Sequence, residues 1–249
     1  MGIDMVTLAN NHSLDFGTDA LLDTCRTLDE AGIRYVGAGE NMARARQLET
    51  VEVKGKTIGF LGSSRVIPVY DWTAGEQKPG VAITYDPGML LKDIAAAKQV
   101  CDYVVVYVHW GKEKAVTPEE YQQTMGRQYI DAGADLVIGS HPHVLQGIEE
   151  YKGKNIVYSL GNFCFGGNSY PSDMDTMIFQ QTFTFENGQK VEDRNARIIP
   201  CMVSSVSTRN DFKPTPAAGE DKKRILQRMN EYSRDFGVEF DENGGILVN

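Results

Sequence analysis

The chain has 249 residues, a length that fits one large domain or two small ones. Lysine and arginine number 25 against 34 aspartates and glutamates, so the formal net charge is −9 and a general nucleic-acid-binding protein is disfavoured. Hydrophobic residues make up 41% and charged residues 24%, a globular mixture that excludes global disorder. No apolar run approaches the roughly 18 residues of a membrane helix, and no signal peptide is expected, because residues 1–4 offer no basic segment and no long apolar run follows.

The first two thirds of the chain alternate apolar runs of strand length with segments of helical periodicity. The run at 102–108 is almost continuously apolar, which indicates a central strand covered on both faces. Strands are predicted at 4–9, 33–36, 102–108 and 135–138, a hairpin at 50–53 and 57–61, and helices at 18–31, 40–48, 88–100 and 118–132.

The last third changes character. Strands are predicted at 147–151, 155–160, 177–186 and 190–202, with tight turns at Gly153 and Asn187-Gly188. A helix at 219–236 follows, with Ile225, Leu226, Met229 and Tyr232 on one face. The chain is therefore expected to be mixed α/β, with parallel pairing first and antiparallel pairing later. Since no repeat or linker interrupts it, one domain over 1–249 is predicted.

All four histidines of the chain follow predicted buried strands. His12 follows the first strand, His109 the central strand, and His141 and His143 the strand after it. Open α/β sheets build their sites at the carboxyl ends of their strands. A single histidine is more often an ordinary core or surface residue, but four at strand ends and none elsewhere favour a functional site. We predict that they converge on one cleft together with Asn11.

The residue type suits a metal centre, because imidazole is a common ligand of zinc, iron and manganese. On an extended backbone, the His141-Pro142-His143 segment would direct both imidazoles to the same side. The two rings could then bind one ion, or one each of two adjacent ions. Two ions about 3.5–4 Å apart would clamp a phosphate and activate a water.

Four ordered motifs make the sequence similar to a known family. They read Asn10-Asn11-His12-Ser-Leu-Asp15-Phe-Gly17, His109-Trp-Gly111-Lys-Glu113, Gly133-Ala-Asp135-Leu-Val-Ile-Gly139-Ser-His141-Pro-His143 and Tyr158-Ser-Leu-Gly161-Asn162-Phe163. Together they resemble the CapA family, whose members are associated with capsule and poly-γ-glutamate biosynthesis. The motifs span roughly residues 3–165. The resemblance implies a calcineurin-like metallophosphoesterase fold, a sandwich of two sheets flanked by helices.

The resemblance also implies roles for individual residues. Asn11, His109 and His141 match ligands of one metal ion, and His143 matches a ligand of the other. His12 matches the histidine that binds the substrate oxygen or donates a proton to it.

Four further residues have two interpretations each. Asp15 either orients His12 or caps the following helix. Glu113 either faces the pocket or is a solvated loop carboxylate, and Asn162 supports the site or serves a turn. Trp110 lines the substrate groove or packs in the core. We assign Asp15 a catalytic role beside His12, and Glu113, Asn162 and Trp110 to substrate binding.

One departure from the family pattern limits the predicted metal content. Family members carry acidic motifs before the Asn-His motif, but only nine residues precede Asn10 here, and Asp4 lies at the start of a strand. A truncated segment, a shortened gene model and a degenerate relative explain this equally. The remaining ligands predict at most one divalent transition metal (zinc, manganese or iron), or none, with little phosphoesterase activity. Lost first strands would also expose a sheet edge, which a second copy could cover in a homodimer.

We therefore expect an N-terminally incomplete CapA-like protein of capsule or poly-γ-glutamate biosynthesis or export, with a metallophosphoesterase-type site. The alternatives are a non-catalytic polymer-binding scaffold and a small-molecule metal-dependent phosphoesterase. Expected partners are an anionic polymer or phosphoester substrate and other capsule-synthesis membrane proteins, not nucleic acid. Whether this chain is itself an active hydrolase stays open. For the full-length relative, the resemblance implies an extracytoplasmic, membrane-anchored location.

Overall fold

The computed structural model of the chain describes residues 2–187, 189–191 and 195–247. The chain divides into two units. The first comprises Met1–Trp110 and Thr124–Ile138, and the second comprises Gly111–Gln123 and Gly139–Asn249. Several sheets and helices occur along the chain, so the predicted mixed α/β class is confirmed. The single-domain organisation stays a prediction.

The predicted elements up to residue 140 occur in the predicted order, together with two two-residue strands and a 3₁₀ turn that the sequence does not predict. They are β1 (Met5–Thr7), α1 (Gly17–Glu30), β2 (Arg34–Val36), β3 (Ala38–Gly39), α2 (Met42–Ala45), β4 (Glu49–Val53), β5 (Lys56–Ser64), β6 (Gly80–Val81), α3 (Gly88–Val100), β7 (Tyr103–His109), α4 (Glu120–Ala132) and β8 (Leu136–Ser140), with a 3₁₀ turn at Tyr70–Trp72. Two helices are shorter than predicted. The expected helix at 40–48 is a single turn, because strand β4 begins at Glu49. Helix α4 begins at Glu120 rather than at Pro118.

The main sheet of the first unit places His109. Strands β4, β5, β7 and β8 are neighbours in that order. The predicted β4–β5 hairpin turns at Lys54 and Gly55, whose φ angles are 51° and 74°. Strands β5 and β7 pair in parallel up to Ser64 opposite His109. Because parallel strands end at the same edge, His109 lies at the carboxyl edge of this sheet.

The central strand β7 is stabilised by the burial of its apolar side chains. Val104, Val106 and Val108 of β7 are fully buried. Burying a valine contributes about 1.5–3 kcal/mol relative to leaving it exposed. The position of His109 at the strand end is given by the register with β5, in which Ser64 lies opposite His109.

The second unit is built from hairpins and one long helix. Its elements are β9 (Ile148–Tyr151), β10 (Lys154–Val157), β11 (Asp175–Gln181), β12 (Phe185–Glu186), β13 (Gln189–Lys190), β14 (Ala196–Met202), β15 (Thr215–Pro216), α5 (Gly219–Ser233), β16 (Glu239–Phe240) and β17 (Ile246–Leu247), with a 3₁₀ turn at Arg234–Phe236. Strands β9–β10, β11–β14, β12–β13, β14–β15 and β16–β17 pair antiparallel, as predicted for 147–202. Helix α5 packs on β9 and β14 and buries Ile225, Leu226 and Met229.

Several boundaries in this unit differ from the expectation. The predicted strand at 155–160 ends at Val157, and the predicted helix at 219–236 ends at Ser233 before the 3₁₀ turn. Gly188 of the predicted turn and residues 192–194 of the predicted strand at 190–202 lie outside the described residues. No helix in the described part of the chain is long and apolar enough to cross a membrane.

Candidate metal centre

In the first unit, two predicted metal ligands face each other. Asn11 follows β1, and His109 ends β7 with 9% of its surface exposed. The Asn11 Oδ1 atom lies 2.9 Å from His109 Nε2. The spacing is that of a hydrogen bond, in which the ring nitrogen donates to the amide oxygen. The assignment of both residues as metal ligands stays a prediction.

His12 and Asp15 form a second pair in this unit. The Nδ1 atom of His12 lies 2.9 Å from Asp15 Oδ2, and both side chains are exposed to solvent. Helix α1 has Phe16 at its N-cap and no side-chain capping bond, so Asp15 does not cap it. A carboxylate on one ring nitrogen fixes the tautomer, with the hydrogen on Nδ1 and Nε2 on the other side of the ring.

In the second unit, the His141-Pro142-His143 segment is not extended. The φ angles of His141 and His143 are 103° and 61°, so the prediction of an extended backbone for this segment is wrong. The chain instead bends sharply after β8. The two rings nevertheless lie close together, with centroids 6.0 Å apart and planes tilted by 56°. Positive φ at a bulky residue other than glycine is uncommon and strained, and such strain clusters at functional sites.

Glu113 joins the two imidazoles. One ligand atom of each of Glu113, His141 and His143 lies within 4.8 Å of the others. Glu113 is exposed, His141 is buried and His143 is half-buried. The backbone N–H of Lys114 donates to the carbonyl of Pro142 at 2.8 Å, which ties the Glu113 loop to the histidine bend. From sequence, Glu113 is assigned to substrate binding; its position beside two imidazoles also makes it a candidate ligand.

Asn162 holds His143 by two hydrogen bonds. Its Oδ1 lies 2.8 Å from His143 Nδ1, and its Nδ2 donates to the His143 carbonyl at 3.2 Å. An amide oxygen accepts only, so Nδ1 carries the proton and Nε2 is the ring nitrogen that can bind an ion. This contact fits the supporting interpretation of Asn162.

Trp110 lies in the core of the first unit. None of its surface is exposed, and its ring stacks on Tyr129 with 6.4 Å between centroids. The arrangement fits the packing interpretation of Trp110, because a fully buried ring offers no surface to a substrate.

Two buried residues near this centre were not found from the sequence. Gln122 and Gln146 are fully buried in the second unit, and their side chains share a 3.0 Å hydrogen bond. Gln146 Nε2 also donates to the carbonyl of Ala115 at 2.9 Å. The pair thereby supports the loop that carries Glu113, and neither residue lies in a motif that could have identified it.

Comparison with known proteins places the chain among capsule-related sequences. The model of the family described as bacterial capsule synthesis protein PGA_cap matches residues 1–167. The capsule biosynthesis protein CapA of Bacillus anthracis is 34% identical over 232 residues, which cover 92% of this chain and 53% of that protein. The PGA biosynthesis protein CapA of Bacillus subtilis is 39% identical over 166 residues, 66% of this chain and 43% of that protein.

A probable polyglutamine synthesis accessory protein of Mycobacterium tuberculosis is 36% identical over 247 residues, covering 93% of this chain and 62% of that protein. The chain thus spans about half the length of the relatives it matches. Among solved structures, the 5′-nucleotidase of Candida albicans is similar over 96% of this chain and 44% of its own, with 11% identity and a TM-score of 0.47.

Proposed function

Because the chain belongs to the bacterial capsule synthesis protein PGA_cap family, we propose that it acts in the synthesis or export of capsular poly-γ-glutamate through a metallophosphoesterase-type site. The names of the Bacillus relatives, capsule biosynthesis protein and PGA biosynthesis protein, support poly-γ-glutamate as the polymer concerned. The alternatives stay a polymer-binding scaffold and a small-molecule phosphoesterase.

The observation that carries the proposal is the cluster of Glu113, His141 and His143. Two imidazoles and one carboxylate form a ligand set that zinc and other divalent transition metals use, with a fourth position left for water or substrate. Ligand atoms on opposite sides of one ion are at most about 4.2 Å apart. The observed separation, within 4.8 Å, needs only small side-chain movements to reach that value. The residues therefore fit one ion.

A bound divalent ion would polarise a phosphoester oxygen and lower the pKa of a bound water. The chain's own residues supply the rest. Asn162 accepts the Nδ1–H of His143 and leaves its Nε2 available. Asp15 accepts the Nδ1–H of His12, so the doubly protonated ring, which the carboxylate would stabilise, could bind a leaving oxygen through Nε2–H or give it that proton. Asn11 and His109 stay proposed ligands, and the stoichiometry stays at most one ion per chain.

Metal binding by the purified chain tests the proposal. Titration calorimetry with zinc and manganese should show binding that weakens at least about tenfold in Glu113→Gln and His141→Ala, since even the loss of a residue behind a ligand costs 10–100-fold. Glu120→Gln is the matched control, because Glu120 is exposed at the start of α4 and lies outside the cluster. His109→Ala tests the proposed ligand of the first unit by the same measure.

A chain that takes up no divalent metal, or a Glu113→Gln variant that binds it like the parent, would refute the metal site. Hydrolysis of p-nitrophenyl phosphate in the presence of the metal then tests the phosphoesterase chemistry. Poly-γ-glutamate binding that persists in EDTA, without turnover, would favour the scaffold instead.

A further inference from the structure

A cavity of about 250 Å³ lies beside the metal centre in the second unit. Its lining includes Glu113, Lys114 and His143, together with Phe165, Asn168 and Asp173. Cavities that enclose drug-sized ligands measure about 300–1,000 Å³. This cavity therefore has room for one residue-sized chemical group rather than for an extended polymer.

The buried side-chain amide of Asn210 bonds the backbone of two residues that line the cavity, Phe165 and Asn168. Asn210 is 2% exposed, and its Nδ2 donates to the carbonyls of Phe165 at 2.7 Å and Asn168 at 3.1 Å. The ring of Phe165 packs against His143, with centroids 5.6 Å apart. The Oδ1 atom of Asn168 accepts the N–H of Tyr170 at 2.7 Å. Its Nδ2 group is thus the end of the side chain that can donate to a ligand.

Three charged side chains line the cavity: the proposed metal ligand Glu113, Asp173 and Lys114. Asp173 is paired with Arg228, whose Nη1 and Nη2 donate at 3.0 and 2.6 Å. Burial tends to raise the pKa of Asp173, but the hydrogen bonds and positive charge of Arg228 outweigh it and lower that pKa. Lys114 is different, since in the described part of the chain no carboxylate forms an ion pair with it. Its backbone is fixed at φ 63° by the bond to Pro142.

We infer that this cavity is a subsite for an anionic oxygen group of the substrate, a carboxylate or a phosphate, with Lys114 as its counter-charge and Asn168 Nδ2 as a neutral donor. The inference rests on the proposed function, because it places this group next to the proposed metal centre. With a net charge of −9, the chain as a whole repels anions. A single unpaired cation at the cavity is therefore the feature that can attract an anionic group to this place.

Binding to the metal-free chain separates this subsite from the metal centre. The probes are γ-glutamyl-glutamate, which carries carboxylates, and inorganic phosphate, both titrated in EDTA at 50 mM NaCl. Lys114→Met should weaken binding of the preferred probe at least tenfold. Lys112→Met should change it less than twofold, because Lys112 lies in the same loop and carries the same charge but does not line the cavity. Asn168→Ala should produce a smaller loss of about threefold.

The outcome for each probe has a defined meaning. Lys114-dependent binding of γ-glutamyl-glutamate alone assigns the subsite to a glutamyl carboxylate, and binding of phosphate alone assigns it to a phosphoryl group. Equal losses in Lys114→Met and Lys112→Met, or no binding of either probe, overturn the inference. Absence of zinc binding by the parent chain would refute the proposed function. The effect of Lys114→Met on probe binding is measured in EDTA, without metal, and so tests the subsite separately.

Discussion

The buried pair Gln122 and Gln146 leads to the sharpest stability prediction. Gln146 Nε2 donates to the carbonyls of Ala115 and Thr117 at 2.9 and 3.4 Å, and its Oε1 accepts from Gln122 Nε2 at 3.0 Å. Gln122 Oε1 in turn accepts the N–H of Glu119 at 2.8 Å. Two side chains thus attach the stretch after Glu113 to the interior of the second unit.

We expect Gln146→Met to destabilise the chain by about 2–4 kcal/mol. Methionine has nearly the volume of glutamine, so the change removes hydrogen bonds and leaves no large cavity. It leaves Gln122 Nε2, fully buried, without this acceptor, at a cost of about 1–3 kcal/mol. The carbonyl of Ala115 is half-buried and can be partly hydrated, which adds a smaller cost. For a chain of this size the melting temperature should fall by roughly 5–15 °C.

Thermal and urea unfolding followed by circular dichroism measure this effect. Gln128→Met is the matched control, because Gln128 is exposed on α4 and should change the free energy of unfolding by less than about 0.5 kcal/mol. Equal stability of the two variants would refute the reasoning. Zinc affinity tests the link to the centre: Gln146→Met should weaken binding in the parent chain but add nothing in a Glu113→Gln background. An equal loss in both backgrounds would show that Gln146 does not act through Glu113.

Three further outcomes are expected. Lys98→Met should lower the free energy of unfolding by about 3 kcal/mol, because it removes the partner of the buried Asp135 carboxylate. This is the low end for breaking a buried ion pair, since Lys98 itself is one-third exposed. A loss under 1 kcal/mol in urea unfolding would contradict the prediction. The pKa of Asp173 is lowered in the folded state, so its contribution to stability is present above the ordinary value of 3.8 and disappears as the pH falls further. Asp173→Asn should flatten that acid slope, and an unchanged slope would exclude the Arg228 contact as its source. His141→Gly should be about 1 kcal/mol more stable than His141→Ala in urea, because glycine accepts φ 103°. Both variants should bind metal at least about tenfold more weakly than the parent chain, and equal stability would mean that the backbone there is not strained.

The sequence predicts those parts of the site that depend on periodic patterns. The apolar run of β7 indicates a central strand, and β5 beside it pairs in parallel, so the position of His109 at a strand end follows from burial alone. The proximity of Asp15 to His12, three residues apart, likewise depends only on a short loop. Local pattern and strand order are sufficient for these predictions because each involves one element and its immediate neighbour.

The parts that the sequence does not predict depend on contacts between distant polar residues. Glu113 reaches the histidines because its loop is bonded to Pro142 and, through Ala115, to Gln146. No apolar period marks such bonds. The positive φ of His141 also contradicts the local preference, since a residue before proline favours an extended conformation. Tertiary contacts override that preference here.

The strained bend itself argues for function over stability. Each non-glycine residue in the left-handed region costs about 1–2 kcal/mol, so His141 and His143 together cost roughly 2–4 kcal/mol. Such a bend persists only where its surroundings fix it. Here Asn162 bonds both the ring and the carbonyl of His143, and Ser159 Oγ donates to the carbonyl of Val144 at 2.7 Å. A glycine at either position would adopt the same backbone without strain. The imidazoles therefore occupy positions that folding alone disfavours, which is expected where side-chain chemistry, rather than stability, determines the residue.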